Sequence, residues 1–504
     1  MNCISGMIKD RTLHLTLISC FFTALCAHGQ ALFNKISYHD DIICFHAVGA
    51  TFDYGRWMLS IVGNAMKALT GMTHYSTPTL NGIITILFLA ISAYLIIKQC
   101  QIKNSAAVIL ISALFVSFPS ITASFGFIYA APYYYFGVLL AVIGAYFFYS
   151  SHTRYSMLVC IVLTACAAGI YQAIIPVSLC TLLLFALQEV HYNAKNKSDY
   201  FRLLSENILI SISFILLYFV LNTIFLKLFH IQISDTRWQN GSGFLSYVLR
   251  IGIAYREFFL PIRNAGSDMF PYHVYYFNLI LTFFMVFLSG VHLRNLIKEN
   301  RMKAYQEGFL FLLIPLACCF IFVMCDAVDV HGLMTFGMVY RFLFLIWILE
   351  NTVLSYKKIK PVTLVLLSFI SFLYIRFANI CYLKAQLMQA NAISYYNILI
   401  TTIKTVPGYT EETPVAYIGE YEKAETDFKG TVSFDPIYLT PYEGNSIIND
   451  YCWKETMERW CGYSPKEADS VPLEGRSEVN EMPCYPADGS VKLIGDTLVV
   501  KFAD

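Results

Sequence analysis

Two adjacent carboxylates and two imidazoles lie in the stretch SYHDDIICFH, residues 37–46, and Asp53 and Arg56 follow in DYGRW. A carboxylate beside an acceptor hydroxyl can take its proton in a transition state, and a cation can stabilise an anionic leaving group. Adjacent residues on a helix or strand cannot point the same way. One of Asp40 and Asp41 is therefore expected to do the chemistry and the other to orient it. A solvated loop start or a helix cap is the bland alternative. The surroundings weigh against it, because the pair follows a long apolar stretch and precedes an amphipathic segment and a cation.

His39, Asp53, Arg56, Tyr171, Gln172, His331 and Arg341 are the candidate substrate-binding residues. Tyr171 and Gln172, in GIYQAII, can hydrogen-bond a sugar, although core packing would also account for them. Arg341 stands inside an apolar stretch, where a charge is costly and commonly functional. Asp326, Asp329 and His331, in CDAVDVHG, are placed to pair with it, in a structural or a catalytic network. Arg237, Arg250, Arg256 and Arg263 suit either interfacial anchoring or phosphate binding, for which the arginine fork is shaped.

The elements that must position these groups are membrane helices. Of 504 residues 57% are hydrophobic and 14% charged, with 40 Phe, 35 Tyr and a net charge of +1; the mean hydropathy is +0.56. Apolar runs of about 18 residues or more recur, each long enough to span about 30 Å of hydrocarbon. About eleven spans are expected, over 13–33, 80–98, 106–122, 132–149, 155–171, 173–189, 207–226, 274–291, 307–325, 336–354 and 362–382. The pair around 171–173 also fits one broken helix, with Pro176 at the break. The first span resembles a signal peptide in its flanks, but apolarity resumes at ALF, which favours a retained helix.

Lys98, Lys103, Arg154, Lys195, Lys197, Arg202, Arg294, Lys298, Arg301, Lys303, Lys357, Lys358 and Lys360 fall in alternate connections. The turns near 123–131 and 326–335 lack Lys and Arg. The positive-inside rule then puts the N-terminus in the cytoplasm and the C-terminus outside. The pieces 34–79, 227–273 and 383–504 face out, giving a transmembrane domain over 1–382 and a small mixed α/β domain over 383–504. In that tail TPVAYIGEY reads as a strand, VKLIGDTLVVKF as a hairpin around Gly-Asp, and AISYYNILITTIKTV as a helix. Most of the 15 cysteines lie in apolar spans; Cys452, Cys461 and Cys484 lie in the tail, where Cys452–Cys461 is the simplest bridge. Within WMLSIVGNAMKAL, Trp57, Met58, Ile61, Val62, Ala65, Met66 and Leu69 share one helical face, the pattern of a helix lying in the membrane interface.

No phosphate-binding glycine loop, zinc signature or Gly-x-Ser-x-Gly elbow occurs, and no basic cluster suggests nucleic acid. The cytoplasmic connections are too short for a nucleotide-sugar domain. A transferase acting outside needs an activated donor carried across on lipid, and a polyprenyl-phosphate sugar is one. Its phosphate leaves as a stable anion, so one carboxylate base suffices where glycosidases need two. Inversion at the anomeric carbon follows.

On YHDD after the first span, DYGRW, the GIYQ turn and the multi-span layout with an outward tail, the chain resembles the Gtr-type O-antigen glucosyltransferases of enterobacteria and their phages. These belong to the GT-C class of membrane glycosyltransferases. The resemblance implies transfer of glucose from undecaprenyl-phosphate glucose to lipid-linked O-antigen in the periplasm of the inner membrane. It maps the family's acidic motif onto Asp40 and Asp41, and a flippase and a glucosyl-lipid synthase of the same pathway are implied partners. A hydroxyl acceptor does not require metal activation, so no cofactor and no essential metal are expected. An O-antigen polymerase or another periplasmic lipid-linked sugar transferase shares the compartment and the chemistry. A flippase would instead gather polar residues at the bilayer midplane.

Overall fold

Apolar runs of this length satisfy their backbone groups in hydrocarbon only as helices, and helices dominate the computed structural model of the protein. It describes residues 10–37, 40–71, 74–193, 197–232, 244–260, 272–327, 330–353, 358–419, 448, 452–468 and 476–503. His39, Asp329, Arg237 and Arg263 lie outside the described residues.

The chain divides into two compact units, Met1–Lys35 with His46–Asn379, and Ile36–Phe45 with Ile380–Asp504. In the first unit the long helices are α1 (Arg11–Phe33), α2 (Trp57–Thr70), α3 (Pro78–Gln99), α4 (Ser105–Ser117), α5 (Ala131–Ser151), α6 (Arg154–Ile170) and α7 (Ile175–Tyr192). They continue as α8 (Lys197–Leu228), α9 (Phe244–Phe259), α10 (Tyr272–Glu299), α11 (Arg301–Cys318) and α12 (Tyr340–Asn351), and α13 (Ile359–Lys404) begins in the first unit and ends in the second. Among the described residues nine helices are long and apolar enough to cross a membrane. The expected spans 155–171 and 307–325 fall on two others. These are α6, of 17 residues, and α11, which ends three residues past Pro315 and is followed by the turn Ile321–Met324.

Burial follows what each helix faces. Every residue of α12 from Tyr340 to Leu349 is buried, Arg341 among them, as in a central helix covered by protein on all sides. On α8, Ile208, Ile212, Leu216 and Phe219 are all more than half exposed. A soluble protein does not leave such a stripe open, whereas hydrocarbon accepts it. Small residues bring helices close: a Cβ on Gly144 of α5 would lie 3.2 Å from the Cα of Cys160 in α6. The turn at 171 is sharp. Tyr171 is extended, a 3-10 turn Gln172–Ile174 follows, and Pro176 sits in the first turn of α7, where its missing N–H costs nothing.

α13 runs for 46 residues, through the end of the expected span at 382 and through AISYYNILITTIK, as one helix. No Gly or Pro interrupts the sequence between Pro361 and Pro407, so nothing ends it. In the second unit β1 (Val415–Ile418), β2 (Val491–Ile494) and β3 (Thr497–Lys501) form one sheet in the order β1-β3-β2. β2 and β3 make the expected hairpin, with Ile494 opposite Thr497 and Gly495 in the turn at φ +61°. β1 joins parallel to β3, with Val415 opposite Leu498. Ile42, Tyr396, Trp453, Leu498, Val500 and Phe502 share its core. The bridge expected between Cys452 and Cys461 does not form, and both are free thiols. The helical turns Trp453–Thr456 and Met457–Cys461 fill the interval. Nine residues of helix span about 13 Å, beyond the reach of a disulfide.

Candidate active site

The residues singled out from the sequence fall into separate places. Asp40 and Asp41 open a single helical turn, Asp40–Ile43, in the second unit. Ile42 anchors the turn in that unit's core. Arg459 stands over Phe45, 5.0 Å from the ring centre, and donates to the Ile43 carbonyl at 3.2 Å. The turn gives its carboxylates different surroundings, as adjacent helical positions must. Asp41 is wholly buried, and Asp40 is partly open.

In the first unit Asp53, Arg56, Tyr171 and Gln172 come together. Asp53 lies half-buried in the 3-10 turn Phe52–Tyr54, which Gly55 closes in the left-handed region at φ +71°. A Cβ at Gly55 would meet the Tyr218 hydroxyl at 2.6 Å and the Gln172 amide nitrogen at 2.8 Å, so only glycine fits this crowded point. Gln172 is buried and donates to the Tyr54 carbonyl at 2.6 Å and to the Tyr218 hydroxyl at 3.0 Å. Tyr218 in turn donates to the Gly55 carbonyl at 3.2 Å. The Arg56 guanidinium lies 5.0 Å from the centre of the Tyr171 ring and donates to the Tyr134 hydroxyl at 3.3 Å. Tyr134 and Tyr171 stack with centroids 4.4 Å apart. The result is a half-buried cation on an aromatic pair, with a carboxylate on the adjoining turn. A fixed guanidinium suits phosphate oxygens, and aromatic faces suit the C–H face of a sugar.

α2 begins directly after Arg56, and Trp57 fixes it. The indole stacks on Phe225 at 5.4 Å and lies against Gly169, where an added Cβ would come within 2.5 Å of the ring. Trp57, expected on the outward apolar face, is instead buried with Leu59, Ser60 and Gly63. Ile61, Ala65, Met66 and Leu69 of that face stay exposed, as an interfacial helix requires.

His331 and Arg341 flank the 3-10 helix Gly332–Val339, which packs on the turn Gln172–Ile174. Arg341 is 4% exposed, donates to the Phe258 carbonyl at 3.1 Å and covers the Phe258 ring at 4.8 Å. His331 is exposed at the N-cap of the 3-10 helix Gly332–Val339. Asp326, which the sequence offered as a partner for Arg341, instead pairs with Arg250 at 2.5 Å. Arg256 pairs with Glu257 at 2.8 Å. Two of the four outer-loop arginines therefore already hold carboxylates.

Sequence reasoning missed Tyr54, Tyr134 and Tyr218. With 35 tyrosines in the chain no single one stands out. The run APYYYFG at the start of α5 was the available signal for Tyr134. An apolar cleft of about 270 Å³ also opens between α7, α8 and α11, lined by Leu182, Leu183, Tyr200, Leu204, Ile208 and Leu313.

Stacked apolar helices with exposed apolar flanks and a polar, aromatic-rimmed cluster at helix ends define a polytopic helical membrane protein. Residues 29–346, well over half of the chain, match the family Glucosyl transferase GtrII. The chain belongs to that family and is a glycosyltransferase. No curated protein and no solved structure matches it. The matched region contains all nine candidate site residues, from His39 to Arg341.

Proposed function

We propose that the protein transfers glucose from undecaprenyl-phosphate glucose to O-antigen repeat units of lipopolysaccharide, at the periplasmic face of the bacterial inner membrane. The family membership supplies the glucosyl transfer. A lipid-borne donor follows from the shortness of the cytoplasmic connections. The periplasmic side follows from the distribution of Lys and Arg. In this reading the chain crosses the membrane eleven times in a GT-C-like arrangement. Residues 1–382 form the transmembrane domain, and 383–504 form a periplasmic one.

The single observation that supports the chemistry best is the Arg56 guanidinium held on the Tyr134–Tyr171 pair, beside a turn that Gln172 braces. Such a cation suits the phosphate of the donor. Asp40, the more open carboxylate, acts as the general base and removes the proton of the acceptor hydroxyl. The acceptor oxygen then forms its bond to the anomeric carbon from the face opposite the phosphate. The bond from that carbon to the phosphate oxygen breaks, and undecaprenyl phosphate leaves with the electron pair as an anion. Buried Asp41 positions the turn that carries the base. Asp53, His39, His331 and Arg341 complete the binding set, and transfer needs no metal. The cleft between α7, α8 and α11 offers an apolar surface for a polyprenyl chain.

The test is the O-antigen composition of a smooth strain with and without the gene. Added glucose on the repeat unit is the expected result. An unchanged polysaccharide, with the protein present and folded, would refute the reading.

A further inference from the structure

Three ionisable side chains distant in sequence meet inside the first unit. His191 lies at the end of α7, His292 two turns before the end of α10, and Glu307 in the second turn of α11. His191 Nδ1 is 2.9 Å from Glu307 Oε1, and His292 Nε2 is 2.8 Å from Glu307 Oε2. All three donor atoms lie within 4.8 Å of one another. Glu307 is 0% exposed and His292 2% exposed. α7 is 18 residues long, about 27 Å, and it separates this cluster from Tyr171 and Gln172.

We propose that His191, His292 and Glu307 bind a divalent transition-metal ion, with zinc the best match. Two imidazoles and one carboxylate are borderline-hard donors that suit zinc, and the set leaves a fourth position for water. Tetrahedral coordination at about 2.0–2.1 Å places donor atoms about 3.3–3.4 Å apart. The two short contacts to Glu307 would open by a few tenths of an ångström, and the two nitrogens would close on the ion.

The surroundings of His292 supply a second, independent observation. Its Nδ1 lies 3.0 Å from Thr352 Oγ1, and the Thr352 hydroxyl donates its one proton to the Ile348 carbonyl. Thr352 is therefore the acceptor, Nδ1 carries the hydrogen, and Nε2 is the nitrogen turned to the cluster. That is the way metal-ligating histidines are fixed by their outer partner. Trp347 closes the site, 5.3 Å from the His191 ring and 5.9 Å from the His292 ring, and is itself held by a 2.7 Å bond to Gln188. A carboxylate buried this deeply needs compensating charge, and a dication on two neutral imidazoles supplies it. The ion would tie the α10–α11 hairpin to α7, a structural role away from the transfer chemistry.

The test uses full-length protein purified in detergent without a histidine tag, grown with zinc, its metals measured by inductively coupled plasma mass spectrometry. About one zinc per chain is expected, falling at least tenfold in His292→Gln and Glu307→Gln. Both variants keep hydrogen-bonding capacity but lose a ligand. Wild-type protein stripped with a chelator should melt about 5 °C lower or more, and zinc added back should restore the melt. Wild-type protein that carries less than a tenth of an equivalent and ignores chelator would overturn the proposal, leaving a hydrogen-bonded ion cluster. Zinc retained equally by both variants would also overturn it, because the metal would then sit elsewhere. Neither readout depends on the transferase reading.

Discussion

At the scale of single residues, the adjacent aspartates differ in exposure, the property on which the proposed division into base and support rests. Asp40 is partly open and Asp41 is fully buried. Asp40→Asn should lower glucosyl transfer at least 100-fold while the protein still folds, as removal of a general base does; radiolabelled transfer in membranes reads the loss. Arg56→Ala should lower transfer about 10- to 100-fold by removing the cation proposed for the leaving phosphate. Arg56→Lys should recover little of it, since a lysine keeps the charge but loses the planar group stacked on Tyr171. Asp40, Asp41, Arg56 and Gln172 stand out in the sequence as candidates because polar side chains are conspicuous in a chain this apolar. The Arg250–Asp326 pair was not foreseen, since the two residues lie 76 apart and nothing local signals the pair. His191, His292 and Glu307 were passed over for the same reason. Their grouping exists only once three helices are packed.

At the scale of elements, the length of the apolar runs located the helices. The Gly495-Asp496 turn and the alternating strands beside it made the β2–β3 hairpin readable. The length of α13 was not anticipated, because a change in composition near residue 382 looked like a boundary while the backbone had no reason to stop. One packing contact makes a sharp prediction. In a free helix Gly→Ala stabilises by about 1 kcal/mol, but the new Cβ at Gly169 would strike Trp57. Gly169→Ala should therefore destabilise the protein by about 1–3 kcal/mol, seen as a lower melting temperature in detergent. A second concerns pH. Asp10 caps α1 through the Thr12 amide at 2.9 Å and accepts from the Tyr94 hydroxyl at 2.8 Å. The Tyr94 bond, ahead of the amide bonds, holds its carboxyl below the ordinary value of 3.8. A lowered carboxylate pKa stabilises the fold above the unfolded value and loses that contribution as pH falls through the folded one. Asp10→Asn should thus melt below wild type at pH 7, and the gap should close as the pH drops below 3.8.

At the scale of the whole molecule, the claim is that a lipid-linked sugar is used on the outer face. A reporter fused after Asp504 should be active in the periplasm; activity in the cytoplasm would reverse every assignment of side. The most direct measurement is glucosyl transfer by the purified protein in proteoliposomes, with polyprenyl-phosphate glucose or nucleotide-linked glucose as donor and lipid-linked O-antigen as acceptor. The account predicts transfer from the lipid donor alone, inversion at the anomeric carbon and loss of activity in Asp40→Asn. Transfer from the nucleotide sugar, retention of configuration, or full activity in that variant would contradict it.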